Sequence, residues 1–543
     1  MLERRAAGLY AALLLAFFIV MCRLYALATN TEYAARAQSQ TVTTLRLDTP
    51  RGNFYDCDGQ ALTGQEKRYY ALCIPGEQSY ARLFDCVDFS TQALLYQKRN
   101  SAAPFLIEVE SDLTDLGIYT YESSSRYAAL PLCVHLLGYL DSSGAGVTGL
   151  EAAFEETLSG NGLQSYVQCV TNAQGRLMDQ TEPVLYTQGQ DTAQGVQLTI
   201  SAPIQRACEG IASKMMTTGC ILVLDTAAAK VRASVSYPFY DPDNISKSIQ
   251  AGDTSLLNRV LYAYNVGSVF KPVLAAAALE ENLDGLTIEC KGYVEINGHV
   301  YRCAGGVPHG AVDLQAALEK SCNCYFIELG ARLGADRLEQ YAQAFGFGQP
   351  VYLAGGLKAF GGNLPDADTL TDLGQRANFS FGQGALLASP VQLAAMMNAI
   401  AAGGTYRAPC FLERVFSEST GETVKRLDAV QGRTVCSPKT AAALCAMLTA
   451  VVEQGIGGEA KPAYSTAAGK TGTAQTGRYD ENGKEYKDLW FAGFYPAQQP
   501  QYTIVVMQDD QITAKYSSAA IFSRVCDALY LLEGETAQQT ENS

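Results

Sequence analysis

The sequence predicts an α+β protein carrying one N-terminal membrane helix. Three observations predict it. An apolar run follows Arg4-Arg5. Strand-like stretches open and close the region from 196 to about 530, and Ala-rich helical segments fill the space between them. At 543 residues the chain is long enough for roughly three to four structural units. Its 48% hydrophobic and 17% charged content supports a large core and argues against disorder. A net charge of −15 argues against nucleic acid as a partner, because phosphate contacts want a basic face.

The elements follow in chain order. Residues 1–5 form a short positive tail. Residues 6–28 are apolar except for Arg23, which can snorkel to the headgroups. Charges placed before the run keep the tail inside and the remainder outside. Ala26-Leu27-Ala28 resembles a signal-peptidase site, but the run exceeds the usual length of a signal peptide's apolar region. An uncleaved anchor is therefore expected, with a single-pass topology.

Residues 40–190 are turn-rich and read as one N-terminal domain. Asp48 to Gly59 reads as loop with short strands. Val147 to Phe154 begins a helix that Gly160-Asn161-Gly162 ends, and Leu163 to Val170 is β-type. Gln188 to Gly195 is a linker. Residues 196–532 form a second domain. Val196 to Ile200 is a strand, and Pro203 opens a helix. Cys220–Asp225 and Val231–Ser236 make a hairpin. Helices are expected at 271–281, 312–333, 336–345, 390–402 and 438–454. Late strands are expected at 465–473, 490–495 and 501–508, then a closing helix at 518–532. Residues 533–543 are expected to be a disordered tail.

Three short motifs carry chemistry. In Gly267-Ser268-Val269-Phe270-Lys271-Pro272, the proline fits only near a helix start. Ser268 and Lys271 then share one face, with the serine near the positive end of the helix dipole. A desolvated lysine there can act as a base. Ser321-Cys322-Asn323 lies at the start of an apolar helix, where a hydroxyl can relay a proton and an amide can hold a substrate. Lys470-Thr471-Gly472-Thr473 lies on a late strand; glycine admits another backbone, and strand N–H groups can form an oxyanion hole. Each alone has a plain structural reading: a chance Ser-x-x-Lys, an N-cap serine, a polar edge strand. Together and in this order they match the signature shared by penicillin-binding proteins and class A β-lactamases.

The chain resembles the class B penicillin-binding proteins, the monofunctional peptidoglycan D,D-transpeptidases, over about residues 45–530. Pro50-Arg51-Gly52-Asn53-Phe54-Tyr55-Asp56 with Asp58-Gly59, Gly149-Leu150-Glu151, Leu198-Thr199-Ile200-Ser201, Asn258-Arg259, His309-Gly310, Gly382-Gln383-Gly384 and Trp490-Phe491-Ala492-Gly493 are similar to family boxes. Cys57 stands where the family has arginine, and Ser201 where it has aspartate. The resemblance implies a five-stranded antiparallel sheet between helical layers, carried on an elongated N-terminal pedestal. It implies Ser268 as acylated nucleophile, Lys271 as its base and Ser321 as proton relay to the leaving amine. Asn323 would orient the donor peptide and Lys271, Lys470 would hold Ser321, and Thr471, Gly472 and Thr473 would bind the substrate carboxylate and line the oxyanion hole. Implied partners are peptidoglycan stem peptides, β-lactams and a separate membrane glycosyltransferase, since about 170 residues before the second domain leave no room for a polymerase module. The family process could be division, elongation or sporulation.

A β-lactam hydrolase or sensor would need a base for deacylation, and none can be placed. A D,D-carboxypeptidase would share the acylation step. A non-catalytic scaffold is disfavoured by the intact motifs. No cofactor and no metal are expected: the only histidines are His135, His299 and His309, in no paired spacing, and the sixteen cysteines contain no CxxC. Cys290 and Cys303 flank a hairpin turned at Asn297-Gly298 and could pair across it. Cys322 and Cys324 are expected to diverge and stay reduced.

Overall fold

A computed structural model describes residues 2–31, 42–47, 51–159, 164–172, 174–178, 181–189, 192–427 and 430–541. The expected turn residues 48–50 and Gly160 to Gly162 lie outside these. The chain divides into two compact units.

The first unit comprises residues 1–51, 64–126 and 160–193. It begins with the helix Leu2–Ala28, of which Arg4–Ala28 is long and apolar enough to cross a membrane. No residue of this stretch is buried among the described residues: Leu9, Phe17 and Phe18 all stand exposed. The strand Glu66–Cys73 pairs with Phe105–Val109 on one side and Thr120–Ser125 on the other. Helices Gln78–Asp85 and Phe89–Lys98 seal one face through Leu83 and Leu95, which pack with Ala71 and Ile107.

The second unit comprises 52–63, 127–159 and 194–543. The sequence placed its start at 196, but two earlier segments also pack into it. Phe54 and Tyr55 pair in parallel with Val196 and Gln197. Leu136, Leu137, Leu150 and Phe154 join the same apolar core as the sheet strands described next. Burying these large side chains outweighs continuity along the chain.

Five antiparallel strands form that sheet: β1 (Gly219–Asp225), β2 (Val231–Tyr237), β3 (Ala468–Tyr479), β4 (Glu485–Tyr495) and β5 (Tyr502–Gln511), in the order β2-β1-β5-β4-β3. The predicted hairpin of β1 and β2 is present. Strand alternation sends Ile221 and Val223 to one face and Cys220, Leu222 and Leu224 to the other. Helices α1 (Ala202–Met215) and α7 (Ser518–Glu541) cover the first face. The closing helix therefore continues past residue 532, through most of the tail expected to be disordered.

The second face holds α2 (Lys271–Glu280), α3 (Leu314–Glu319), α4 (Asn323–Ala344), α5 (Pro390–Ala401) and α6 (Pro438–Glu453). The helices expected at 312–333 and 336–345 are divided differently. A break at Lys320–Cys322 separates α3 from α4, and α4 runs on through a kink at Gly334 (φ 78°). In α2 every residue from Lys271 to Ala278 is buried, so its lysine has no polar face to reach water from.

Candidate active site

The site is assembled where α2, α4 and β3 meet. Tyr264 and Asn265 pair with Ala388 and Leu387, and the Trp490 indole donates to the Asn265 carbonyl at 2.8 Å. Gly267 then turns at φ 66°, its N–H bonded to the Gly382 carbonyl at 2.7 Å. A Cβ on Gly382 would lie 2.0 Å from the Gly267 carbonyl oxygen, so only glycine closes this junction. The chain winds through one 3₁₀ turn (Gly267–Phe270) into α2. Phe270 anchors that turn edge-on against Phe347 and Phe379. Ser268 is left half-buried on the wall of a cleft of 1250 Å³.

Lys271 points to the second motif. Its Nζ donates to the Ser321 carbonyl at 2.8 Å, to Ser321 Oγ at 3.1 Å and to Asn323 Oδ1 at 2.7 Å. Burial pushes its pKa down to about 7, opposed by the nearby Cys322, Cys303 and Cys324 side chains. Ser321 occupies the α3–α4 break at φ 51°, a left-handed conformation that side chains other than glycine seldom adopt. The Asn323 amide donates to the Arg302 carbonyl at 2.9 Å, which fixes which end faces Lys271.

The third motif lies on β3. Gly472 lets this strand approach the nucleophile turn: a Cβ there would sit 2.9 Å from Val269 Cγ1 and 3.2 Å from the Val266 carbonyl oxygen. Thr471 and Thr473 face the cleft. Lys470 is fully buried behind it, and burial, then repulsion from Lys271, pushes its pKa well down.

The structure thus gathers Ser268, Ser321, Asn323, Thr471 and Thr473 around one cleft, with Lys271, Lys470 and Gly472 behind its wall. Two expected contacts are not hydrogen bonds among the described residues. Lys271 reaches Ser321 and Asn323 rather than Ser268 Oγ. Lys470 donates to the Thr471 carbonyl and hydroxyl, at 3.2 and 3.3 Å, rather than to Ser321. Sequence reasoning left out other cleft residues, among them Tyr301, Asn378 and Phe381. The predicted hairpin carries the first, with Tyr293–Ile296 paired to His299–Arg302.

Two of the cysteine expectations need correction, while Cys322 and Cys324 are unbridged as expected. Cys290 and Cys303 are not joined; their sulfurs lie 3.7 Å apart, and every described cysteine is a free thiol. Cys322 and Cys324 do not diverge: both sulfurs approach Cys303, at 3.9 and 3.5 Å. Cys322 is the extended N-cap of α4 and not a helical residue, so helical spacing does not apply to the pair.

Comparison with known proteins agrees with this geometry. The family model for the penicillin binding protein transpeptidase domain matches residues 219–527. The chain is 31% identical over 412 residues to stage V sporulation protein D of Bacillus subtilis, covering 73% of this chain and 61% of that protein's length. It is 26% identical over 470 residues to the peptidoglycan D,D-transpeptidase FtsI of Escherichia coli, covering 84% and 74%. Among solved structures, penicillin binding protein 3 of Mycobacterium tuberculosis complexed with aztreonam superposes with a TM-score of 0.64 at 23% identity, covering 91% and 97%. A chain in a peptidoglycan synthase complex that coordinates polymerization and crosslinking superposes at 0.68 and 22% identity, covering 97% of each. The five-stranded sheet, the three motifs on one cleft and the match over more than half its length place this chain in the penicillin binding protein transpeptidase family.

Proposed function

We propose that the protein is a peptidoglycan D,D-transpeptidase that crosslinks stem peptides through a serine acyl-enzyme and binds penicillin. One observation carries this reading: a fully buried lysine, one turn after Ser268, joins Ser321 and Asn323 through three hydrogen bonds at a cleft that Thr471 and Thr473 also line.

In the proposed reaction Ser268 Oγ attacks the carbonyl of the penultimate D-alanine of a donor stem peptide, and its proton passes to Lys271. A pKa lowered to about 7 leaves a useful fraction of that amine neutral. The developing oxyanion lies against the N–H groups of Ser268 and Thr473. The C–N bond breaks, and the leaving D-alanine amine takes a proton relayed through Ser321. Thr471 and Thr473 hold the terminal carboxylate. An amine from a second stem peptide then attacks the ester, loses a proton and frees Ser268. The named activity of FtsI and its relatives supports this reading.

The N-terminal helix anchors the protein in the cell membrane with the catalytic unit outside, because Arg4 and Arg5 precede the apolar run. A membrane glycosyltransferase supplies the strands to be joined; the chain of similar fold in a peptidoglycan synthase complex that coordinates polymerization and crosslinking supports such a partner.

Fluorescent penicillin read by intact mass tests the reading. A single stable adduct is expected on the full chain and none on Ser268→Ala. An adduct that is rapidly hydrolysed, or one retained by Ser268→Ala, would overturn it.

A further inference from the structure

We propose that Cys290, Cys303, His309 and Cys322 form a tetrahedral zinc site that fixes the Ser321–Asn323 turn. Their four donor atoms lie within 4.8 Å of one another. Zinc–sulfur and zinc–nitrogen bonds of about 2.3 and 2.0 Å make tetrahedral edges of about 3.8 Å between sulfurs and about 3.5 Å between sulfur and nitrogen. The sulfurs of Cys290 and Cys303 are 3.7 Å apart, those of Cys303 and Cys322 3.9 Å, and Cys290 Sγ lies 3.6 Å from His309 Nδ1. The donors are spaced for an ion at their centre.

Their setting supports a metal over a disulfide. Cys303 is in contact with three other sulfurs, of Cys290, Cys322 and Cys324, so one bridge would strand the rest. The Gly292 N–H donates to Cys290 Sγ at 3.4 Å, a contact that favours thiolate. Backbone bonds already hold the frame: Cys303 N–H to the Gly292 carbonyl at 2.9 Å, and His309 N–H to the Cys290 carbonyl at 3.2 Å. Cys290, Cys303 and Cys322 are buried, while Cys303 and His309 border the cleft, which gives an ion a way in. Three soft thiolates and one imidazole select zinc over magnesium or calcium. Four protein donors leave no open position, so the ion is structural and takes no part in the reaction. Its binding releases the thiol protons to solvent. The sequence expectation of no metal missed this because the donors come from four separate places: the ends of two short strands, a loop and the N-cap of α4.

The consequence for the active site follows from Cys322, which lies between Ser321 and Asn323. Tying its sulfur to Cys290, Cys303 and His309 pins a left-handed turn whose two flanking residues both accept from Lys271. The metal is thus a positioning element, and its effect on acylation rests on the transpeptidase reading.

The test uses the full chain in detergent, purified with a phosphine reductant and no chelator. Elemental analysis should find one zinc per chain. Cobalt in its place should give thiolate-to-metal charge-transfer bands and strong tetrahedral visible bands. Cys303→Ser and His309→Gln should each weaken metal binding by more than the about 10–100-fold that loss of an outer-shell partner costs, whereas Cys208→Ser and Cys436→Ser should keep the full complement. Should Cys303→Ser not fold, alkylation mapping of the unmutated chain decides: Cys290, Cys303 and Cys322 should resist modification until the zinc is stripped. Stripping should slow penicillin acylation about tenfold or more, and zinc should restore it. Absence of zinc after loading, cobalt spectra without thiolate bands, or a disulfide at Cys303 in the reductant-free chain would overturn the site. Bound zinc with unchanged acylation after stripping would overturn the positioning role. A zinc-loaded chain that penicillin does not label would instead count against the transpeptidase reading, leaving the metal site standing.

Discussion

Ser321 pays a backbone penalty to present its hydroxyl. A left-handed residue with a Cβ is disfavoured by about 1 kcal/mol, and Ser321 holds φ at 51° while accepting from Lys271. Ser321→Gly should therefore melt at the same temperature or higher, because Lys271 keeps its two other acceptors. Its acylation by penicillin should nevertheless fall about 10²-fold. Paired melting and labelling measurements check this; a variant that melts lower yet acylates normally would show a purely structural turn. At this scale much of the site was legible. Ser268, Lys271, Ser321, Asn323 and Lys470 to Thr473 stand in motifs whose order is specific. Their bonding was less legible, because Lys271 Nζ could reach either Ser268 or the turn, and only packing decides between them. Asn378 and Phe381 carry no local signal; they reach the cleft because their helix, Leu373–Ser380, and the residue after it pack beside α4.

Asp488 on β4 shows how one element positions another. Its carboxylate accepts from the Asn265 N–H at 3.3 Å and the Asn265 side chain at 3.4 Å, just ahead of the nucleophile turn. Burial raises its pKa to about 6 from 3.8, Asn265 opposes that rise, and Asp509 adds to it while Arg478 counters. The folded state thus holds the extra proton between about pH 4 and 6, so stability falls as pH rises through that window and stays lower above it. Asp488→Asn removes the buried charge and retains an acceptor. It should stabilise the protein near neutral pH by up to about 3 kcal/mol, with the gain vanishing toward about pH 4. Thermal melts of both proteins across that range measure it; a constant gain or a loss near neutrality would refute the assignment. Element positions were legible wherever a strong apolar run existed, as in β1, β2, α5 and α6. The α3–α4 break was legible only in part: Ser321-Cys322-Asn323 reads as a helix start, while Ala, Leu and Glu on both sides favour one continuous helix.

The whole chain carries an apolar helix that is not buried among the described residues and, in the same unit, the exposed thiol of Cys86. If the helix spans the membrane with its arginines inside, a membrane-impermeant maleimide should label Cys86 in intact spheroplasts. Cys86→Ser should lose that label, and labelling that needs lysed cells would reverse the orientation. Domain boundaries were the least legible feature, since Phe54 and Leu150 reach the second unit from sequence that reads as the first. The sheet order has a further consequence, for synthesis. Strand β5 sits at the sheet's centre, pairing Tyr502 with Asp225 across about 280 residues of chain, and β4 and β3 attach only through it. Long-range pairing of this kind is slow to form. During synthesis β1 and β2 therefore wait, two strands of a five-stranded sheet, until residues 502–511 arrive. The strand that carries Lys470 reaches β1 in the sheet only through β4 and β5, so the third motif is the last of the three to take its place there.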